Sequence, residues 1–277
     1  RIDPNPRAEG FVTDENKDQY PELGNNRVGV SMQYVGREPR FYASVAYNGS
    51  TWYLLNEPND ANKDKQIFYY RGGGNGYTNT MFWLRTGIGV MKFVHPDDTN
   101  RDEKEEYIRK KAEPAIRYAE ILLIYAEALN ELTGNYNIAS WDEETQYTIQ
   151  RNIDEMKKGI QPIRIRAGIP DYTRSEYEDQ DLFREKLKRE RQIELMGEGH
   201  RYYDIRRWKD AEVEESLPIY GCNTLMTEKW RDVFHVPVAI PSLPTNFSRK
   251  MYFWPISHSE LKRNKMLTQN PGWTYND

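Results

Sequence analysis

Arg117-Tyr-Ala-Glu-Ile-Leu-Leu-Ile-Tyr-Ala-Glu-Ala-Leu-Asn130 is the stretch that decides how this chain folds. At about 100° per residue, Arg117, Glu120, Glu127 and Glu131 fall within an arc of about 80°. Ile121, Leu122, Leu123, Tyr125, Ala126, Ala128, Leu129 and Leu132 take most of the remainder. With Pro114 as a first-turn residue and Gly134 just past the end, the pattern predicts a helix over 114–132. A helix so broadly apolar is covered on two sides. That suits an array of packed helix pairs, in which each helix touches both its partner and the next repeat.

Two further helices follow. The stripe Ile149, Ile153 and Met156 predicts an outer helix over about 143–158, interrupted by Gly159 and Pro162 before a turn ending at Ala167-Gly168. Leu182, Phe183, Leu187, Ile193 and Met196 predict a third helix over about 181–196. Arg189, Glu190 and Glu194 project into its apolar sector, and charges on a buried face need partners. Arg201, Asp204, Arg206 and Arg207 follow closely enough to supply them. Residues 1–113 read as a loop-rich surface region with short strands at Phe41 to Tyr47 and Gly87 to Val94. Arg71-Gly-Gly-Gly-Asn-Gly-Tyr77 is its most flexible point. From Ala211 onward the chain loses helical period and ends in an irregular aromatic tail. The whole reads as one integrated domain, a loop-rich 1–113 followed by a helical 114–277, mainly α with long loops and a few short strands.

Composition narrows the function. The 277 residues carry 39 Lys+Arg against 43 Asp+Glu, a net charge of −4 with both signs mixed, which argues against binding nucleic acid through phosphate neutralisation. Mean hydropathy is −0.92. Yet 7 Trp, 20 Tyr and 9 Phe are too many aromatics for a disordered polyelectrolyte. The longest strongly apolar run, Ile121 to Ala126, is far short of the roughly 18 residues of a membrane helix. A single cysteine, Cys222, excludes an intrachain disulfide framework, and with four scattered histidines it excludes a zinc site of close Cys/His pairs. Arg1, with no initiator Met and no apolar leader after it, reads as the start of a processed or truncated product.

Four blocks then resemble one family. Gly36-Arg-Glu-Pro-Arg-Phe-Tyr42 is similar to its Asp-Pro-Arg-Phe segment, with Glu38 in the Asp position. Arg117 to Asn130, with Ile163-Arg-Ile-Arg-Ala-Gly168 after it, resembles its last tetratricopeptide-like helix pair. Arg189-Glu-Arg-Gln-Ile-Glu-Leu-Met-Gly-Glu-Gly-His-Arg-Tyr-Tyr-Asp-Ile-Arg-Arg-Trp208 resembles the signature that follows. Phe253-Trp-Pro-Ile-Ser-His-Ser-Glu260 and Gln269-Asn-Pro-Gly-Trp273 resemble its closing motif. The family is SusD/RagB, surface nutrient-binding lipoproteins of Gram-negative gut and oral bacteria. The resemblance implies a fold of tetratricopeptide-like helix pairs at the outer face of the outer membrane. It also implies a SusC-like TonB-dependent transporter as partner and an oligosaccharide as ligand, or an oligopeptide as in RagB-type members; the alternative reading is a structural lid with little ligand specificity of its own. Members are about twice this long, so the lipid anchor and part of the binding site are expected outside this chain.

The residues themselves present no catalytic constellation, and neither an enzyme activity nor a cofactor is expected. Glu190 and Glu194, one turn apart, have the spacing of a glycosidase pair, but crowding cations lower a carboxyl pKa where a general acid needs it raised. They read as an ion network clamping the helix to its array. His200, without a Ser or Cys nucleophile at motif spacing, reads as a structural group. Asp98-x-Asn100-x-Asp102 and Asp60-x-Asn62-x-Asp64 open like calcium loops. Their sixth positions are Glu103 and Lys65 and their twelfth Arg109 and Arg71, which excludes an EF-hand, and no metal site is expected. The glycine run at Arg71 lacks the P-loop pattern, so it does not read as a nucleotide site.

Sugars present flat C–H faces flanked by hydroxyls, and exposed Trp or Tyr rings stack on them. Trp208, Trp254 and Trp273 lie in the family blocks and read as core, and Trp141 as a cap on the outer helix. Trp52-Tyr53, and Tyr77, Phe82 and Trp83 around the glycine tip, remain as candidate ligand contacts, with Asn56, Asn75 and Asn79 close in sequence. The sites carried forward are Trp52, Tyr53, Tyr77 and Trp83, an arrangement in which Trp52 and Trp83 could share one wall of a groove.

Overall fold

The computed structural model describes residues 10–57, 59–79, 81, 83–100, 106–241, 243 and 245–274. Its helices in chain order are α1 (Pro39–Ser44), α2 (Tyr118–Asn130), α3 (Ile153–Arg166), α4 (Arg174–Glu178), α5 (Gln180–Glu194) and α6 (His200–Arg207). Three shorter ones follow, α7 (Ala211–Glu214), α8 (Arg231–Phe234) and α9 (His258–Arg263). Helix α2 lies antiparallel between α3 and α5. Its Tyr125 meets Glu155 of α3 at 2.7 Å, while Glu131, just past its end, meets Arg184 of α5 at 2.8 Å. The two-sided cover expected of this helix is present, although Ile121, Ile124 and Tyr125 remain exposed. Ala119, Leu123, Ala126 and Leu129 of α2 close a core with Met156, Ile160 and Ile163 of α3, Tyr177 of α4, and Phe183 and Leu187 of α5. Each large side chain there contributes about 1.5–3 kcal/mol.

Helix boundaries differ from expectation for physical reasons. Arg117 takes extended backbone as N-cap, so α2 starts at Tyr118 and Pro114 lies outside it. The outer helix does not span 143–158. Residues 136–149 instead form an antiparallel hairpin, and Asn152 caps α3 by accepting from the Glu155 N–H at 3.1 Å. Gly159 and Pro162 do not interrupt it. A Cβ on Gly159 would sit 2.5 Å from the Leu122 carbonyl oxygen, so glycine is what allows α2 and α3 to approach. Pro162 is carried inside α3 at a cost of about 3 kcal/mol, which packing of Ile160 and Ile163 offsets. The third helix runs nearly as expected, but Leu182 and Arg189 face outward.

Among the described residues the strands form five two-stranded antiparallel sheets. β1 (Val45–Tyr47) pairs with β4 (Ile88–Val90), β2 (Thr51–Tyr53) with β3 (Asp64–Gln66), and β5 (Thr99–Asn100) with β6 (Glu106–Tyr107). β7 (Tyr136–Ala139) pairs with β8 (Gln146–Ile149), and β9 (Tyr220–Gly221) with β10 (Val238–Ala239). The strand expected from Phe41 begins only at Val45, because Pro39 presets the first turn of α1. The tail beyond Ala211 is not wholly irregular, since α7, α8 and α9 lie in it.

Four tryptophans depart from expectation, among them Trp273, which is half-buried rather than core. Trp254 is 75% exposed, its ring centroid 6.4 Å from that of Tyr202, so it is not core. Trp141 sits at the tip of the β7–β8 hairpin, 95% exposed, and caps no helix. Trp208 is half-buried, its indole N–H donating to Glu127 at 2.7 Å.

Candidate functional site

Trp52 and Tyr53 stand side by side on β2, opposite Lys65 and Asp64 of β3. They line a cavity of about 490 Å³ together with Tyr42, Tyr47, Pro21, Met91 and Pro96. One side of Trp52 packs against the cluster of Ala46, Ile67, Tyr69, Cys222 and Phe234. Gly24 belongs to the same wall and holds φ at +92°; a Cβ there would lie 2.7 Å from the Tyr53 hydroxyl and 2.9 Å from Thr51 Oγ1. Only glycine lets that loop close against the strand. The loop is fastened by the Asn26 amide donating to the Asp64 carbonyl at 2.5 Å and by the Thr51 hydroxyl donating to the Asn26 carbonyl at 3.2 Å.

The polar groups of this cavity are under-used. Ser50 is buried, yet its hydroxyl has no hydrogen-bond partner among the described residues. Neither the Tyr53 hydroxyl nor the Trp52 indole N–H meets a partner among them either. Burial pushes the Tyr42 and Tyr47 hydroxyls above their usual range, so both stay uncharged at any physiological pH. Tyr42 is already engaged, donating to the Tyr34 carbonyl at 2.7 Å and accepting from the Arg37 N–H at 2.9 Å. Aromatic faces with unpaired neutral hydroxyls, beside the Glu22 carboxylate of the same wall, are the complement of a polyhydroxylated ligand that is not an anion. The Ser50 hydroxyl is not among the sequence candidates, because a lone serine beside a strand carries no pattern.

The second pair sits apart from this lining. Tyr77 and Trp83 meet edge to face at 5.2 Å, with the Arg71 guanidinium 5.9 Å above Tyr77. Phe82 lies outside the described residues. The glycine tip beside them is tied down at several points. Gly73 donates to the Tyr70 carbonyl at 2.9 Å, Asn75 to the Phe68 carbonyl at 3.0 Å and Arg71 to the Met226 carbonyl at 2.9 Å. A Cβ on Gly76 would lie 2.0 Å from the Tyr70 carbonyl oxygen, so this glycine serves close packing more than freedom of φ. The nearby asparagines are partly spent: Asn56 donates to the Asp97 carbonyl at 3.1 Å, and the Asn79 side-chain oxygen accepts from the Met81 N–H at 2.8 Å.

Glu190 and Glu194 form the ion network expected of them, with partners from elsewhere in the chain. Arg40 Nη1 lies 2.7 Å from Glu190 and 3.0 Å from Glu194, while Arg164 reaches Glu190 at 2.7 Å. Arg166 and Arg117 reach Glu194 at 2.5 and 3.0 Å, and Arg117 with Lys92 holds Glu198 at 2.7 and 2.5 Å. Of the cations expected to do this, Arg207 instead pairs with Asp204 and Glu127, Arg206 with Glu215, and Arg201 with Glu214. Asp204 takes Arg191 at 2.6 Å. Burial alone raises the Glu194 carboxyl pKa, but hydrogen bonds from Arg166, Arg40 and Arg117 outweigh it and hold the group below the ordinary value. That is the wrong direction for a general acid. His200 lies 3.5 Å from Glu120 in the same assembly.

The acidic loops are equally committed. Asp98 accepts from Lys111, from the His95 N–H and from the Arg109 N–H, which together hold its pKa down to about 2. Asp60 is exposed and pairs with Lys63 at 2.6 Å, and Asp102 lies outside the described residues. Among the described residues no cluster of His, Cys, Asp and Glu is arranged to hold a metal, and no helix is long and apolar enough to cross a membrane.

Comparison with known proteins settles the lineage. The profile of the SusD family matches residues 7–273. This chain belongs to the SusD family. Over 162 residues it is 31% identical to SusD-like protein P2 of Formosa agariphila, covering 57% of this chain and 25% of that protein. The solved structure of the protein BT4246 superposes with a TM-score of 0.72 at 23% identity, over 95% of this chain and 42% of that one. A SusD-like carbohydrate-binding protein of Bacteroides fragilis superposes with a TM-score of 0.55 at 22% identity, over 93% of this chain and 50% of that one. The chain therefore spans half or less of the length of these relatives. Within this SusD-family chain, the helical array of α2 to α5 and the block from Arg189 to Trp208 form the scaffold, and Glu38-Pro-Arg40 is the arm that locks the loop-rich region onto it.

Proposed function

We propose that this SusD-family chain is a non-catalytic binding component for oligosaccharide nutrients at the extracellular face of an outer membrane. Its ligand passes to a SusC-like TonB-dependent transporter, and its lipid anchor lies outside these 277 residues. The observation that carries this reading is the cavity beside Trp52 and Tyr53, where aromatic faces adjoin the unpaired Ser50 and Tyr53 hydroxyls. Its volume suits one or two sugar rings by the usual range of about 300–1,000 Å³ for small-ligand sites. Tyr77 and Trp83 are a second contact for a longer glycan. The Bacteroides fragilis neighbour described as carbohydrate-binding supports the same ligand class.

Non-catalytic binding is consistent with the state of Glu190 and Glu194, whose carboxylates are engaged by arginines. A glycan array followed by calorimetry with the best linear oligosaccharide tests the proposal, with a hydrolysis assay on the same sample. Expected are binding without turnover and its weakening by about tenfold in Trp52→Ala, the scale of one lost stacking and burial contact. Release of reducing ends, or Trp52→Ala binding at parental affinity, would contradict it.

A further inference from the structure

A second cavity, of about 440 Å³, opens where α1 meets α5 and the turn after α3. The proposed sugar site does not use it. Phe41, Val45, Ile169, Pro170, Ile193 and Met196 give it an apolar lining. Four arginines reach its wall, and they divide into two kinds. Arg164 donates to the Pro170 carbonyl at 2.8 Å and to Glu190 at 2.7 Å, and stacks on Tyr172 at 3.8 Å. Arg40 is held by Glu38, Glu190 and Glu194. These two are spent.

Arg37 and Arg189 are not. Both are exposed, and neither meets a carboxylate among the described residues. The Arg37 guanidinium donates only to the Gln33 carbonyl, at 3.0 and 2.6 Å, and Arg189 has no ion-pair, hydrogen-bond or ring partner among them. The nearby acids are occupied. Glu38 has both oxygens on Arg40, at 2.7 and 3.1 Å, and Glu22 accepts from the Gly36 N–H at 3.4 Å while lining the other cavity. Beside the paired Arg40 and Arg164, two guanidiniums that meet no carboxylate among the described residues, above an apolar floor, mark a place for a ligand with an anionic end.

We propose that this cavity binds an amphipathic acid, its apolar body on the Phe41, Ile193 and Met196 floor and its carboxylate on Arg37 and Arg189. A neutral sugar would bury hydroxyls against that floor without partners, which is costly. A planar guanidinium matches a carboxylate in a bidentate fork. The chemistry has two sources, a free small acid or the carboxylated apolar end of a polypeptide.

Calorimetry on the full chain separates them, with 4-phenylbutyrate as the small acid, N-acetyl-Gly-Gly-Phe as the polypeptide end, and the neutral amide of each as control. The acids should bind about tenfold more tightly than their amides, the scale of one charge-assisted hydrogen bond. Arg37→Gln and Arg189→Gln should each remove most of that preference. Gln192→Trp, at the exposed rim, should block binding of both probes. All three variants should melt like the parent and keep oligosaccharide binding beside Trp52. Tighter binding of 4-phenylbutyrate identifies a free acid as the source, and tighter binding of the peptide identifies a polypeptide end. Equal affinity for acid and amide, a preference that survives in the Arg37→Gln, Arg189→Gln double variant, or no binding of either acid at about 10 mM would each overturn the proposal.

Discussion

The ion network around Glu194 and the cavity around Trp52 are built from opposite habits. In the network, buried carboxylates are met by several cations each, drawn from α1, the start of α2, the end of α3 and the loop at Lys92, and only single atoms such as Glu190 Oε1 and Arg191 Nη1 lack a well-aligned hydrogen bond among the described residues. In the cavity, buried and half-buried hydroxyls and an indole N–H have no partner among the described residues. Saturated polar groups have nothing left to offer a ligand and every reason to hold a fold. Unsaturated ones cost stability, about 1–3 kcal/mol for a buried orphan, and persist where a ligand satisfies them. In these two regions charge marks the scaffold, and the unpaired neutral hydroxyls mark the proposed binding surface.

The sharpest way to break that contrast is Glu194→Ala. Removing the carboxylate leaves Arg40, Arg117 and Arg166 short of a partner, and breaking a buried pair costs about 3–5 kcal/mol. Thermal or urea unfolding should show that loss, with glycan affinity per folded molecule unchanged. Loss of binding at parental stability would place the network in the ligand site instead.

Acid tests the same network without a mutation. Glu194 is buried and Glu198 and Glu127 half-buried, which raises their pKa, but their hydrogen-bonding partners outweigh this and leave each below the ordinary value of 4.5. Groups depressed in the folded state contribute stability that is fully present above the unfolded value and lost as pH falls through the folded one. Melting temperature should hold from neutral pH to about 5 and drop below that. A melting temperature unchanged down to about pH 3 would show that the pairs contribute nothing.

Trp52→Ala sharpens the other side. One face of the ring packs on the cluster of Ile67 and Phe234, so a stability loss of about 1–2 kcal/mol should accompany an affinity loss of about tenfold. Trp83→Ala, whose ring meets only Tyr77 among the described ring pairs, should lower affinity for long glycans with a smaller effect on melting. Gly24→Ala should cost about 1–3 kcal/mol, because its φ of +92° with ψ of −167° is open essentially only to glycine, and displace the Tyr53 hydroxyl, weakening binding through the cavity wall. Parental affinity in Gly24→Ala would remove that wall from the site.

Much of the scaffold is readable in the residues. Period and family blocks locate α2 and α5, and the need of Glu190 and Glu194 for cations is plain from their place in an apolar sector. Which cations serve is not, because Arg40 and Arg117 are 154 and 77 residues away from Glu194 in sequence. The β7–β8 hairpin hides from a helical reading because Ile149 continues the spacing of Ile153 and Met156, although Tyr136, Ile138 and Tyr147 alternate as strands do. Gly159 looks like a helix breaker, since its reason lies in the backbone of another helix. Of the candidate site, the structure brings Trp52 and Tyr53 into one cavity and Tyr77 and Trp83 into another pair. The Ser50 hydroxyl becomes visible only when burial and pairing are known together.

Ser50→Ala, measured for melting and for oligosaccharide affinity on the same preparation, tests the contrast most directly. A buried hydroxyl without a partner burdens the fold and serves the ligand, so the variant should melt no lower than the parent while binding about three- to tenfold more weakly, the worth of one hydrogen bond. A lower melting temperature with parental affinity would contradict it, showing that Ser50 belongs to the scaffold and that unpaired polarity is no guide to where this protein binds.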